Sequence, residues 1–162
     1  MTIDAGASGN DPQWLSEDER TAWLALTGLL VRLPGALDAQ LERDSGLRFF
    51  EYMVLAMLAE QEDRTLRMSA LAELTNGSLS RLSHVVQRLE RQGLVRRATS
   101  AEDKRATNAI LTDEGLARVE SAAPGHVAHA RALVVDAAGA EELETFGRVA
   151  WQILQRVGGW RT

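Results

Sequence analysis

The sequence has no cysteine, three prolines, a single tyrosine and few aromatic residues of any kind, 5% in all. Without cysteine there are no disulfides, thiolate metal ligands, thiol nucleophiles or thiol redox sensors. Any signal the chain senses must arrive by another route. No run of eighteen uncharged apolar residues, the length of a membrane span, occurs, and the opening residues MTIDAGASGNDPQ lack the basic start and apolar stretch of a signal peptide. A cytoplasmic protein with no membrane partner is expected. Positive charge is also scarce, since 18 Lys and Arg against 23 Asp and Glu leave a formal net charge of −5, which taken alone argues against a nucleic-acid partner.

What is present reverses that impression. A chain of 162 residues with 45% hydrophobic content can bury a substantial core. Its charge is unevenly spread. Between Arg64 and Asn108 stand nine basic residues (Arg64, Arg67, Arg81, Arg88, Arg91, Arg96, Arg97, Lys104, Arg105) against four acidic ones, a local charge of +5. The rest holds nine basic and nineteen acidic residues, or −10. A basic middle between acidic ends is the electrostatic footprint of a nucleic-acid module in a larger scaffold.

Ser16 followed by Glu19 has the capping-box pattern, and apolar residues then recur at helical spacing from Trp23 to Leu41, with a kink expected at Pro34. A second helix over 47–60 is apolar around much of its girth and should be central. A short helix carrying Leu71, Ala72 and Leu74, with Ser69 as its cap, meets the turn pair Asn76-Gly77. Ser78 can cap the next helix, whose inner face reads Leu79, Leu82, Val86 and Leu89. Its other face reads Ser80, Arg81, His84, Gln87, Arg88 and Arg91. Two β-prone stretches, 94–97 and 108–111, flank a polar loop and form a hairpin with a charged tip. Thr112-Asp113-Glu114 restarts helix, although Gly115 stands where a capping box would place Glu; a kink or break is expected at Pro124, and a last helix opens at Gly139.

Two helices joined by a tight turn, the second apolar inside and donor-rich outside, suit the DNA major groove, where Arg, Gln, Ser and His can bond base edges. The candidate readers are Ser78, Ser80, Arg81, His84, Gln87 and Arg88. The hairpin supplies a second set, Arg96, Arg97, Asp103, Lys104 and Arg105, whose tip can reach a neighbouring minor groove. A solvated helix face and a charged surface turn are the plainer readings of each feature alone, and a winged-helix module meeting an acidic protein is the alternative for the pair. The donor-rich face, poor in aromatic anchors, favours DNA.

An ordered set of segments makes the chain resemble the MarR (multiple antibiotic resistance regulator) family of winged-helix transcription regulators. These are Gly46-Leu47 with 51–55, Leu71-Ala72, 78–89, the run 90–97, Asp103-Lys104-Arg105 and 111–115. The resemblance implies a mainly α fold with a small β-hairpin wing: a winged helix-turn-helix over 61–111, with 78–92 as recognition helix, and a helical dimerisation region over 15–60 and 112–160; the small, polar residues of 1–14 are expected to be flexible. It implies a homodimeric repressor that binds a palindromic operator in double-stranded DNA. Asp103 and Arg105 would organise the wing tip and contact DNA. Leu79 departs from the family pattern, where proline or a polar residue is usual.

Trp23, Phe49, Phe50 and Tyr52 are candidates to line a pocket for a small-molecule effector, as in relatives that bind phenolic compounds, against the plainer reading that they are core. His126 and His129, spaced i, i+3, could share a face and hold Zn²⁺ with Glu120, but no third nearby His or Cys joins them. No metal, no cofactor and no catalysis are expected, since no nucleophile triad, phosphate loop or paired-acid motif occurs.

Overall fold

The computed structural model describes residues 13–101 and 103–158, so the expected flexible segment 1–14 falls, except for its last two residues, outside the described chain. Helix α1 (Glu17–Ser45) starts where the capping box places it: Glu19 N–H donates to Ser16 Oγ at 3.2 Å and Ser16 N–H to Glu19 Oε2 at 2.8 Å. The helix runs unbroken through Pro34. The carbonyl that the proline leaves without a partner belongs to Leu30, in an exposed stretch where water can take it. By length and composition α1 is also apolar enough to cross a membrane, with a mean hydropathy of 1.2 over eighteen residues, which narrows the sequence expectation; Arg32 and Asp38 interrupt it. By its contacts the chain divides into two units that part at Pro34.

Helix α2 (Phe49–Ala59) is central, as its apolar girth predicts. Val54, Leu55 and Leu58 are wholly buried, and it meets α5, α3, α4 and β3. Phe49 N–H is anchored by Asp38 Oδ1 at 2.8 Å. Strand β1 (Thr65–Arg67) leads straight into α3 (Met68–Leu74), so the expected Ser69 cap does not form: Ser69 lies inside the first turn and Arg67 takes the cap position with extended backbone. Helix α4 (Leu79–Arg91) is followed by β2 (Val95–Thr99) and β3 (Thr107–Leu111), a hairpin in register from Val95↔Leu111 to Thr99↔Thr107. β1 adds to the other edge of β3, with Arg67 opposite Asn108, giving the order β1-β3-β2.

Helix α5 (Asp113–Ala130) passes Pro124 without a break and runs into a π-helical turn (Arg131–Val135). Helix α6 (Ala140–Val157) starts at Gly139, whose N–H donates to Glu142 at 2.8 Å. The core joins Leu41 and Leu47 to Leu55, Leu58, Leu71, Leu82, Val86 and Leu89. Burying each such side chain contributes about 1.5–3 kcal/mol. α6 adds no buried residue to it: Phe146, Val149, Ile153 and Val157 form an exposed apolar stripe at i, i+3, i+7, i+11.

Candidate nucleic-acid interface

The helix-turn-helix is α3, a turn and α4. Thr75 closes α3 by donating its hydroxyl to the Leu71 carbonyl at 2.7 Å, and Asn76 takes the left-handed backbone that the turn needs, with φ +50°. Gly77 serves differently from a flexible turn residue. A Cβ there would fall 2.6 Å from Phe50 Cζ, so the glycine lets the turn press against α2. Ser78 caps α4, its Oγ accepting Arg81 N–H at 3.2 Å.

Leu82, Val86 and Leu89 pin the inner face of α4, each wholly buried. Leu79 does not join them, contrary to the sequence pattern: at the first turn the helix has run past the core, and this leucine is 55% exposed. Ser80, His84, Gln87 and Arg91 make an exposed stripe at i, i+4, i+7, i+11 on the opposite side. The two candidate arginines stand off its flank, each held by a neighbour on α2. The Arg81 guanidinium lies 4.2 Å above the Phe50 ring, a cation–π contact. Arg88 Nε lies 3.0 Å from Oε1 of Glu51, a buried carboxylate whose Oε2 accepts Arg48 N–H at 2.9 Å.

In the wing, Arg96 is exposed while Arg97 turns back to α4, its backbone N–H, Nε and Nη2 all meeting the Glu90 carboxylate at 2.7–2.9 Å. These bonds hold Glu90 below the usual carboxylate range, the Arg97 side chain first and its backbone N–H second. Lys104 and Arg105 stand exposed at the tip. Asp103 orders that tip through the backbone: Oδ1 accepts Arg105 N–H at 3.0 Å and its carbonyl accepts Ala106 N–H at 2.9 Å.

Between wing and α4 lies a concavity of about 360 Å³ lined by Arg67, Arg97 and Arg105, the hydroxyl residues Ser69, Ser83 and Thr107, and Leu79. Arg67, Ser69, Ser83 and Thr107 were not candidates from sequence. Arg67 is visible as one of the nine basic residues of the middle segment, but its place beside the wing follows from the pairing of β1 with β3.

Of the aromatic candidates for an effector site, the three on α2 divide between two neighbours. Phe49 and Tyr52 flank His126 on α5, with ring centroids 5.8 and 4.5 Å away. Phe50 points to Arg81 and Gly77, and Trp23 is an exposed residue of the first half of α1. Burial raises the Tyr52 phenol, with Glu60 adding to the shift, and burial lowers His126, helped by His129. Among the described residues no group of three or more His, Cys, Asp or Glu could hold a metal ion.

Residues 45–106 match a model of the MarR family. The fold is similar to that of Sco3205, a MarR family transcriptional regulator from Streptomyces coelicolor solved in complex with DNA, at 39% identity and a TM-score of 0.86 over 90% of this chain and 91% of that one. AbsC, a MarR family regulator from the same organism, is similar at 34% identity and a TM-score of 0.85, over 90% of this chain and 98% of its own. The HTH-type transcriptional repressor YetL of Bacillus subtilis is 30% identical over 112 residues, 69% of this chain; the match spans 66% of that repressor's own length.

Proposed function

Because the chain belongs to the MarR family of transcriptional regulators, we propose that it acts as a homodimeric repressor that reads a palindromic operator, α4 entering the major groove and the wing tip reaching the adjacent minor groove. The observation that carries the reading is the division of α4: Leu82, Val86 and Leu89 are wholly buried, while Ser80, His84, Gln87 and Arg91 are exposed in one stripe of hydrogen-bonding side chains on the other side. Lys104 and Arg105, exposed at the wing tip, supply charge for phosphates. The apolar stripe of α6, with no buried residue of its own, supports the dimer, because a second copy gives it a partner. Such a protein works in the cytoplasm, on the chromosome.

The test is selection of bound DNA from a random pool, followed by titration at several salt concentrations. An inverted repeat with half-sites about 10 base pairs apart is expected, bound with an affinity that falls steeply as salt rises. Binding that ignores sequence, or no binding, overturns the reading.

A small-molecule effector belongs to the same proposal. The junction of α2 and α5 at Phe49, Tyr52 and His126 supports it, because His126 Nδ1 is buried there with no hydrogen-bond partner among the described residues. A flat aromatic ligand with a hydroxyl or carboxyl group suits those rings and that nitrogen, and its binding would show as a rise in unfolding temperature that Tyr52→Ala abolishes.

A further inference from the structure

The contact between Glu51 and Arg88 joins the first turn of the central helix α2 to α4, and its chemistry is one-sided. Glu51 is 2% exposed. A carboxylate so buried is tolerable when paired and costly when not, and here it is met by Arg48 N–H at 2.9 Å and Arg88 Nε at 3.0 Å. Arg88, by contrast, is half exposed. Its guanidinium is planar, with five N–H donors in a fixed fork, so fixing Nε fixes the direction of the remaining donors. The same contact offsets its charge.

An unrestrained arginine at this flank of α4 would follow any nearby phosphate, which strengthens binding to all DNA alike. One tied through Nε offers directed donors and little net charge, favouring geometry over bulk attraction. We propose that Glu51 is a positioning residue for DNA discrimination: acting through Arg88, it converts a general phosphate contact into a directional one and so raises the preference for operator over random DNA. The proposal rests on the DNA-binding reading above and adds to it a residue of α2 that touches no DNA.

Glu51→Gln is the informative change, since the amide oxygen can still accept Arg48 N–H while the charge that holds Arg88 is gone. The probes are the sequence enriched by the wild-type protein from a random pool and a scrambled duplex of equal length. Random DNA should be bound as tightly as by wild type or more tightly, and the operator-to-random ratio should fall about tenfold, the scale of one directed base contact. The salt slope on random DNA should steepen by about one phosphate contact. Arg88→Lys, which keeps charge but lacks the fork, should lower the ratio similarly. In an Arg88→Met background, Glu51→Gln should change the ratio no further.

If the Glu51→Gln ratio stays within twofold of wild type, or the same fall appears without Arg88, the proposal is overturned. Should Glu51→Gln fail to fold, Arg88→Lys, altered at a half-exposed position, decides the matter: an unchanged ratio overturns the proposal and a tenfold fall supports it. A wild-type protein with no preference for any sequence defeats the DNA-binding reading itself, an outcome distinct from wild-type preference that Glu51 does not influence. A merely structural role for Glu51 would lower the unfolding temperature and leave the ratio where it was, which also counts against the proposal.

Discussion

Gly115 and Leu94 meet backbone to backbone: a Cβ on Gly115 would overlap the Leu94 carbonyl oxygen. Thr112 fixes this junction, its hydroxyl donating to the Gly93 carbonyl at 2.7 Å and accepting Gly115 N–H at 3.0 Å, while its own N–H reaches the Leu94 carbonyl at 3.1 Å. The glycine that breaks the capping box therefore exists for close approach, seating α5 on the segment that leaves α4. Gly115→Ala should destabilise the fold by about 1–3 kcal/mol, as overpacking does, despite alanine's better helix propensity. Urea unfolding reads this directly, and an unchanged or raised midpoint would refute it.

The wing turn depends on Asp103 as an acceptor for Arg105 N–H. Asp103→Ala should weaken operator binding although it removes a negative charge near phosphate, and Asp103→Asn, which keeps the oxygen and loses the charge, should bind as well as wild type or better. Titrating both at two salt concentrations separates the effects. Equal losses for Ala and Asn would mean that the charge, not the turn, matters.

Gln87 stands in the middle of the outward stripe of α4 with no part in the core. Gln87→Ala should cost about 1–3 kcal/mol on the operator and much less on random DNA. Equal loss on both would demote Gln87 to a phosphate contact.

The α6 stripe gives the dimer its most direct test. Ile153→Asp places a charge amid Phe146, Val149 and Val157, apolar residues that lie exposed on the single chain. A folded monomer by light scattering is expected at micromolar concentration, with operator affinity lost along with the second half-site. A variant that stays dimeric would move the interface elsewhere.

His126 should make the fold less stable in mild acid. Its folded pKa lies below the ordinary value of about 6.5, because burial penalises the charged ring and His129 adds to the effect. Above that value both folded and unfolded chains hold it neutral. As pH falls below 6.5 the unfolded chain takes up the proton first, so stability declines until the folded pKa is passed. His126→Leu should flatten this decline in the window just below pH 6.5. The unfolding midpoint across pH 7 to 5 is the measurement, and a variant as acid-sensitive as wild type would remove His126 as the cause.

Much of the fold was legible in the residue pattern because helical periodicity is a local property. The spacing of Leu82, Val86 and Leu89, the Ser78 cap and the charge break between 64 and 108 mark α4 and its surroundings without any knowledge of what they pack against. Tertiary structure decided what periodicity cannot encode. Leu79 continues the apolar pattern of α4 yet lies beyond the edge of the core, since the extent of a core depends on where neighbouring helices end. β1 is three residues long, too short for an alternating pattern, and exists because the edge of β3 accepts it; Arg67 reaches the wing by that pairing. Arg81 and Arg88 belong to the polar face by sequence, but Phe50 and Glu51, adjacent residues on another helix, bind them. Which side of a helix is polar follows from its own residues; which of those polar groups remain free to meet a partner follows from what packs beside them.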